Sequence, residues 1–295
     1  MAEPDVAGAE VEQFRPLLFS LAYRMLGSVA DAEDAVQETF LRWHRAEQEE
    51  VRSPKDWLCA VVTRLCIDHL RSARVRREEY VGPWLPEPLV QPLDEDPLEA
   101  AVLAESLSTA FLLMLERLTA MERAVFLLRE VFSFEYEEVA RIVGRSEGAC
   151  RQLAKRARDK VAAGEPRFTA SEEDAQRMAL RFMEVCARGD VDEIRALLAE
   201  DAIAMTDGGG KRRGALNPVY GRDHVARLFA GLAHKWGVPP VDLVRVNGQP
   251  GFVMRLWDGP RVMSFAVRDG LITGVYLVGN PDKLTHLPVP PEEDG

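Results

Sequence analysis

Between Ser146 and Lys160 the polar chemistry lies on one side of a helical repeat: Arg151, Gln152, Lys155, Arg156, Arg158 and Lys160. Cys150, Ala154, Ala157 and Val161 recur three or four residues apart on the other side. Guanidinium, amide and ammonium groups in that pattern suit a polyanion, the cations meeting phosphates and the Arg and Gln tips reaching base edges. A second basic island, residues 64–77, sets Arg64, Arg71, Arg74, Arg76 and Arg77 against one acid, Asp68. Residues 78–106, between the islands, carry eight acids and no base. The net charge is −11, so the islands imply local contacts rather than a uniformly cationic surface. Taken singly, either island also fits a solvated helix face. Acid–base chemistry has thinner support. Asp207 lies in a Gly-rich run, His224 and His234 in a helical stretch and His286 in a Pro-rich tail, with no nucleophile beside them. Cys59, Cys66, Cys150 and Cys186 form no CxxC pair, which argues against a zinc site or a disulfide scaffold. No metal or cofactor is implied.

The elements that must carry these groups are mostly helices. Ser28-Val29-Ala30-Asp31 is a helix-start signal, a capping hydroxyl followed three residues later by an acid. Ala32, Ala35, Val36, Thr39, Phe40 and Trp43 then form one face, and Asp31, Asp34, Gln37, Glu38 and Arg42 the other. After Ser53-Pro54, Trp57, Leu58, Val61, Val62 and Leu65 mark a further helix whose polar side runs through Arg64 and Asp68 to Arg71. A short amphipathic helix from Glu135 to Val143, a Gly144-Arg145 turn and a helix capped by Ser146 make the helix-turn-helix plan. An αα-hairpin that meets no DNA has the same outline.

Residues 80–100 break the periodicity with prolines at 83, 86, 88 and 92 and the run Asp94-Glu95-Asp96-Pro97. Tyr80, Trp84, Leu85 and Leu89 are too apolar for a purely solvated tether, so this segment is expected to dock on something; a stray exposed aromatic is the alternative. Two helices over 171–199 break at Gly189-Asp190, and a helix from Asp223 to His234 follows. Strand-like runs at 241–246, 251–257, 261–267 and 271–278 are joined by Asn247-Gly248, Asp258-Gly259 and Asp269-Gly270, which are hairpin signals. Helices followed by an antiparallel meander predict an α+β domain whose sheet curls over a helix. At 295 residues the chain has room for two or three modules. No apolar run approaches the ~18 residues of a membrane span. The acidic start lacks the basic region of a signal peptide, so a cytoplasmic, reduced setting is expected.

Asp31 to Trp43 with Trp57 to Arg77 resembles region 2 of the extracytoplasmic-function sigma factors of bacterial RNA polymerase. Residues 115–161, with Ser146-Glu-Gly-Ala-Cys-Arg-Gln152 and Arg156-Ala-Arg158, resemble region 4. The tail from about 170 is similar to SnoaL-like members of the NTF2-type fold. Trp84-Leu-Pro-Glu-Pro-Leu89, Asp207-Gly-Gly-Gly-Lys211 and Asn280-Pro-Asp-Lys-Leu284 narrow the likeness to the SigJ-like group, sigma factors with a fused SnoaL-like domain. The resemblance implies a multidomain chain: sigma region 2 at 11–79, an acidic Pro-rich linker at 80–101, a region 4 helix-turn-helix at 102–164 and an α+β cone at 170–295. The two sigma domains would be all-α.

It also assigns roles. Asp34, Gln37 and Glu38 would meet core RNA polymerase, whose clamp the Asp31–Trp43 helix contacts in this family. Arg64, Asp68, His69 and Arg71 would face the −10 element of promoter DNA, with Arg74, Arg76 and Arg77 on phosphates. Ser146, Arg151, Gln152, Lys155 and Arg156 would face the −35 element, with Arg151 suited to guanine O6 and N7 and Gln152 to adenine. Trp84, Pro86, Asp207, Lys211, Asn280, Asp282 and Lys283 would make regulatory contacts between tail and linker. The regulator would then act in cis, with no separate anti-sigma factor, no membrane association and no catalysis; the cone has room for a small-molecule ligand. A ligand-sensing helix-turn-helix regulator, or a SnoaL-type cyclase or isomerase fused to a DNA-binding module, are the rival readings.

Overall fold

The computed structural model describes residues 11–46, 51, 53–78, 80–93, 107–162, 171–237 and 239–287; from 73 to 78 it describes the backbone alone. The run Asp94-Glu95-Asp96-Pro97 and the expected boundaries at 101, 102, 164 and 170 fall outside these residues, as do the side chains of Arg74, Arg76 and Arg77. The chain divides into two compact units, one of residues 1–78 with 114–165 and the other of 79–113 with 166–295.

In the first unit α1 (Arg15–Leu26), α2 (Val29–Arg45) and α3 (Pro54–Glu78) pack on one another. Ser28 Oγ accepts from the Asp31 amide at 3.2 Å and starts α2 where the sequence signal lies. Phe40 and Trp43 turn inward, Trp43 meeting the Trp57 ring edge-on at 5.3 Å. The rest of this unit is α5 (Ala120–Phe126), a π-turn (Leu127–Val131), α6 (Tyr136–Val143) and α7 (Glu147–Ala162). Thr119 and Glu122 form a capping box that starts α5. Gly144, at φ +66°, ends α6 in the left-handed conformation that a side chain would strain. Cys150, Ala154, Ala157 and Val161 are buried, so the small face of α7 packs on α5 and α6 and its basic face stays exposed. Helix α3 also packs on α5 and α6, joining the two halves of the unit.

In the second unit β1 (Val90–Gln91) opens a seven-stranded sheet. Helix α4 (Thr109–Leu115) begins here. Helices α8 (Glu172–Arg188) and α9 (Val191–Leu197) precede β2 (Leu198–Asp207) and β3 (Val219–Tyr220). Then come α10 (Arg222–Trp236), β4 (Val241–Val246), β5 (Gln249–Leu256), β6 (Gly259–Arg268) and β7 (Leu271–Val278). Strand order is β1-β4-β5-β6-β7-β2-β3. The four meander strands are antiparallel as expected, with β5 and β6 starting two residues earlier than the sequence runs. Asn247 and Asp269 each take a positive φ followed by a positive-φ glycine, the primed-turn geometry that matches strand twist. The meander is not the whole sheet. Strand β2 runs parallel to β7, and the linker itself supplies the edge strand β1 against β4.

Side chains alternate between the faces of this sheet. One face buries Met254, Met263, Phe265 and Val275 against α8 and α10. Phe182, Phe229, Phe252 and Phe265 fill that concave side with edge-to-face contacts at 5.1–6.1 Å. The other face carries a second core in which Val262, Ala266, Tyr276 and Val278 meet Leu85, Ala110, Leu284 and Leu287.

Candidate functional site

The three short motifs that narrowed the sequence resemblance converge in the second unit. Asp207, at the end of β2, is 1% exposed. Its carboxylate accepts from Tyr80 Oη at 2.5 Å, the Leu85 amide at 2.9 Å, the Gly209 amide at 3.0 Å and Lys283 Nζ at 2.7 Å. Lys283 Nζ also donates to the Leu85 carbonyl at 2.5 Å and lies 4.3 Å from the centre of the Trp84 ring and 4.9 Å from that of Tyr80. Asn280 Nδ2 donates to Tyr80 Oη at 2.8 Å. Burial first, and then the adjacent Asp207 carboxylate, push the Tyr80 hydroxyl above its usual range, so it stays a donor. Pro86 and Leu85 are buried, and at the rim Lys211 pairs with Asp282 at 2.6 Å with both side chains largely exposed.

A second polar anchor holds the linker further along. The Asn247 side chain accepts from the Leu89 amide at 2.8 Å, its backbone N–H donates to the Leu89 carbonyl at 2.8 Å, and its Nδ2 donates to Thr109 Oγ1 at 3.2 Å. Thr109 in turn meets Ser264 Oγ at 2.9 Å. Close packing explains the glycines of the 208–210 loop. A Cβ on Gly209 would meet the Asn280 side chain at 2.3 Å, and Gly209 itself sits at φ +60°. Tyr80 and Asn247 were not singled out as contacts from sequence. The first looked merely apolar, and the second was explained in full by its turn.

The acid–base candidates are not gathered. Asp207 is enclosed by the linker, on the sheet face opposite the aromatic core. His224 bonds its own helix's entry at Tyr220 O, His234 is exposed on α10, and His286 lies 3.4 Å from Glu87. Burial drives the Cys59, Cys66 and Cys186 thiols above their usual range, which keeps them unreactive; Cys59 and Cys186 reach about 12.

In the first unit the polar face of α7 presents Arg151, Gln152, Lys155 and Arg156, all exposed. Ser146 Oγ accepts from the Ala149 amide at 3.3 Å, capping the helix as expected. Arg151 pairs with Glu147 at 2.6 Å and lies 4.6 Å from the Tyr136 ring centre. Lys160 and Arg156 approach Glu122 at 2.7 and 3.7 Å, and Arg158 pairs with Glu130 at 2.7 Å. Among the described residues Gln152 and Lys155 have no partner, leaving their donors open.

On α3, Arg64 and Asp68 are exposed. The carboxylate of Asp68 lies 3.5 Å from Arg71 rather than Arg64. His69 turns aside from them, with Nε2 3.5 Å from Asp31 of α2. Arg74, Arg76 and Arg77 continue the same helix. On α2, Asp34 and Gln37 are exposed and Glu38 pairs with Arg42 at 2.7 Å. Gln37 borders a groove of about 680 Å³ floored by Pro16, Phe19 and Val36 and flanked by Arg15 and Glu33. Among the described residues no helix is long and apolar enough to cross a membrane, and no acid–His–Cys cluster could hold a metal.

Residues 11–76 match the family Sigma-70 region 2, and residues 108–161 match Sigma-70, region 4. The chain is 40% identical to the ECF RNA polymerase sigma factor SigJ of Mycobacterium tuberculosis, over 95% of this chain and 94% of that protein. It is 36% identical to the probable ECF RNA polymerase sigma factor SigI of the same species, over 97% and 98%. The crystal structure of M. tuberculosis SigJ superposes with a TM-score of 0.77 at 38% identity, covering 94% of this chain and 98% of that one. With both sigma regions in order and this likeness along nearly its whole length, the chain belongs to the extracytoplasmic-function sigma factors of RNA polymerase, promoter-directing initiation factors rather than enzymes.

Proposed function

We propose that the acidic face of α2 docks on core RNA polymerase in the cytoplasm, that α3 and α7 read the −10 and −35 elements, and that the C-terminal domain governs output in cis by holding the linker. Asp34 and Glu38 offer acids on the face where the Gln37 amide borders an apolar groove, an arrangement that gives register and on-rate to a basic partner. Arg64, Asp68 and Arg71 lie open on α3; the half-buried His69, tied to Asp31, acts on the −10 strand only after leaving that contact. Arg74, Arg76 and Arg77 supply sequence-blind phosphate contacts. Ser146 and the α7 N-terminus suit a phosphate, Arg151 and Gln152 base edges, and Lys155 and Arg156 the groove edge.

The observation that carries the regulatory part is the buried Asp207 carboxylate, which ties Tyr80, Leu85 and Lys283 into one knot. The linker is thereby part of the C-terminal domain's own core, and a regulator built in this way needs no separate anti-sigma factor. A small molecule would change output only by favouring one linker state over another. The test is promoter-dependent run-off transcription by the full chain with bacterial core polymerase. Full-length protein should initiate at a cognate promoter, and Trp84→Ala and Lys283→Ala should change the yield while the helical circular dichroism is kept. Sequence-specific repression without polymerase would sink the sigma reading, and wild-type output from both variants would sink regulation through the linker.

A further inference from the structure

We infer that Tyr136, the first residue of α6, is a positioning residue for −35 recognition: its ring holds the Arg151 guanidinium in the orientation that reads a base. The inference rests on the proposal that Arg151 contacts a base edge. Tyr136 is half-buried and gathers three arginines from separate parts of region 4. The Arg129 guanidinium lies 4.9 Å from its ring centre and that of Arg151 4.6 Å. Arg158, paired with Glu130 at 2.7 Å, also lies close to the Tyr136 hydroxyl, and the two neighbours raise its pKa above the usual arginine value.

Each of the other two guanidiniums has a second tether. Arg129 donates to the Phe134 carbonyl at 2.9 Å and lies 3.2 Å from Glu135, while Arg151 is bound to Glu147 at 2.6 Å. Arg151 thus has a carboxylate on one side and an aromatic ring on the other, although its side chain is 58% exposed. An exposed arginine held in that way does not sample its rotamers freely. Arg readout of guanine needs the planar fork to be presented edge-on, and a fork already fixed loses less entropy on binding. Gln152 and Lys155, beside it on the same exposed face, have no such partner among the described residues. The arrangement therefore singles out Arg151 on the recognition helix.

The experiment measures affinities of the reconstituted holoenzyme, with full-length protein, for promoter fragments differing at single −35 positions. Removing an exposed cation–π contact predicts that Tyr136→Leu lowers discrimination about two- to fivefold at the base read by Arg151. Discrimination at other −35 positions should stay as in the parent. Tyr136→Phe keeps the ring and loses only the hydroxyl, so it should discriminate like the parent. Arg151→Ala should abolish preference at that base, and Tyr136→Leu added to Arg151→Ala should change it no further. Loss spread evenly over all positions, additive effects in the double variant, or loss of discrimination in Tyr136→Phe would overturn the positioning role. So would tighter, more selective binding by Tyr136→Leu, which would mean that the ring sequesters Arg151. If Arg151→Ala itself leaves every base preference intact, base reading by Arg151 fails instead, a result separate from all of these.

Discussion

Replacing Asp207 with alanine tests the linker knot at its centre. The carboxylate side chain is fully enclosed and pairs with Lys283, whose own side chain is 12% exposed. Removing one partner of a buried ion pair costs about 3–5 kcal/mol, because the other charge stays desolvated. The Leu85 and Gly209 amides and the Tyr80 hydroxyl also lose their acceptor, so the low end of that range is a floor. The second unit is the 35 residues 79–113 and the 130 residues 166–295. For a domain of that size each kcal/mol shifts the melting temperature by roughly 2–4 °C. Asp207→Ala should therefore lower the second unit's transition by about 6–20 °C in scanning calorimetry of the full chain, with the first unit's transition unmoved. The double variant Asp207→Ala/Lys283→Met buries no lone charge and should recover much of the loss, a coupling of about 1–3 kcal/mol. An Asp207→Ala transition within about 1 °C of the parent, or a double variant less stable than the single one, would refute this account of the knot.

Two further outcomes concern the sigma regions. Arg151→Ala should cost about 1–3 kcal/mol at one −35 base, whereas Arg76→Ala should weaken holoenzyme binding evenly and reduce the salt slope by about one contact; fragment binding at several salt concentrations separates them. Burial raises the Glu122 carboxyl, but hydrogen bonds from Lys160 and Thr119 outweigh it and hold the group below its ordinary 4.5. Its contribution is thus present above pH 4.5 and is lost as pH falls through the lowered folded value, so Glu122→Gln should flatten the acid limb of the first unit's stability.

The helical parts were legible because segregation on a helix needs only local sequence. Cys150, Ala154, Ala157 and Val161 could face nothing but a neighbouring helix, and the basic side followed. The meander was equally legible, since Asn247-Gly248 and Asp269-Gly270 demand turns of one hand. Strand β2 was not, because Leu198-Ala-Glu-Asp-Ala-Ile203 has few β-branched residues and becomes a strand by pairing with β7 more than seventy positions later. The same limit applies to the site. Trp84 announced a docking segment, but which strand it docks on depends on Asp207 and Lys283, distant in sequence and adjacent only across the β2–β7 pair. His69 reads as an open polar residue from spacing, yet the packing of α3 on α2 turns it to Asp31.

The contacts that join regions 2 and 4 and those that hold the linker face different demands when the chain spans a promoter. Region 2 meets region 4 through Arg141 on Asp56 at 2.8 Å, Lys55 over the Phe134 ring, Arg24 over the Phe132 ring, and Arg123 Nη1 on the Met25 carbonyl at 2.7 Å. Of these only Arg141–Asp56 is an open pair, worth about 0–1 kcal/mol; Arg24 and Arg123 are buried, and α3 packs on α5 and α6 beside them. The linker is held instead by the fully buried Leu85 side chain, worth about 1.5–3 kcal/mol, together with the Asp207 knot and the β1–β4 pairing. A compact body the size of the first unit is roughly 35–40 Å across. Two promoter elements some 25 nucleotides apart on duplex DNA are about 85 Å apart. Docked regions cannot reach both, so the contacts between regions 2 and 4 must give way, whereas the span makes no such demand on the linker's contacts within the second unit. The four native cysteines are buried, which leaves engineered ones free for dyes. Dyes at Leu41→Cys and Glu137→Cys, exposed on α2 and α6, should move apart when core polymerase and promoter are added. Dyes at Val81→Cys and Leu271→Cys, both exposed in the second unit, should keep their distance. A fixed first distance in an initiating complex would show that the regions read DNA while docked, and a lengthened second would show that the linker leaves its sheet during initiation; either result breaks this account.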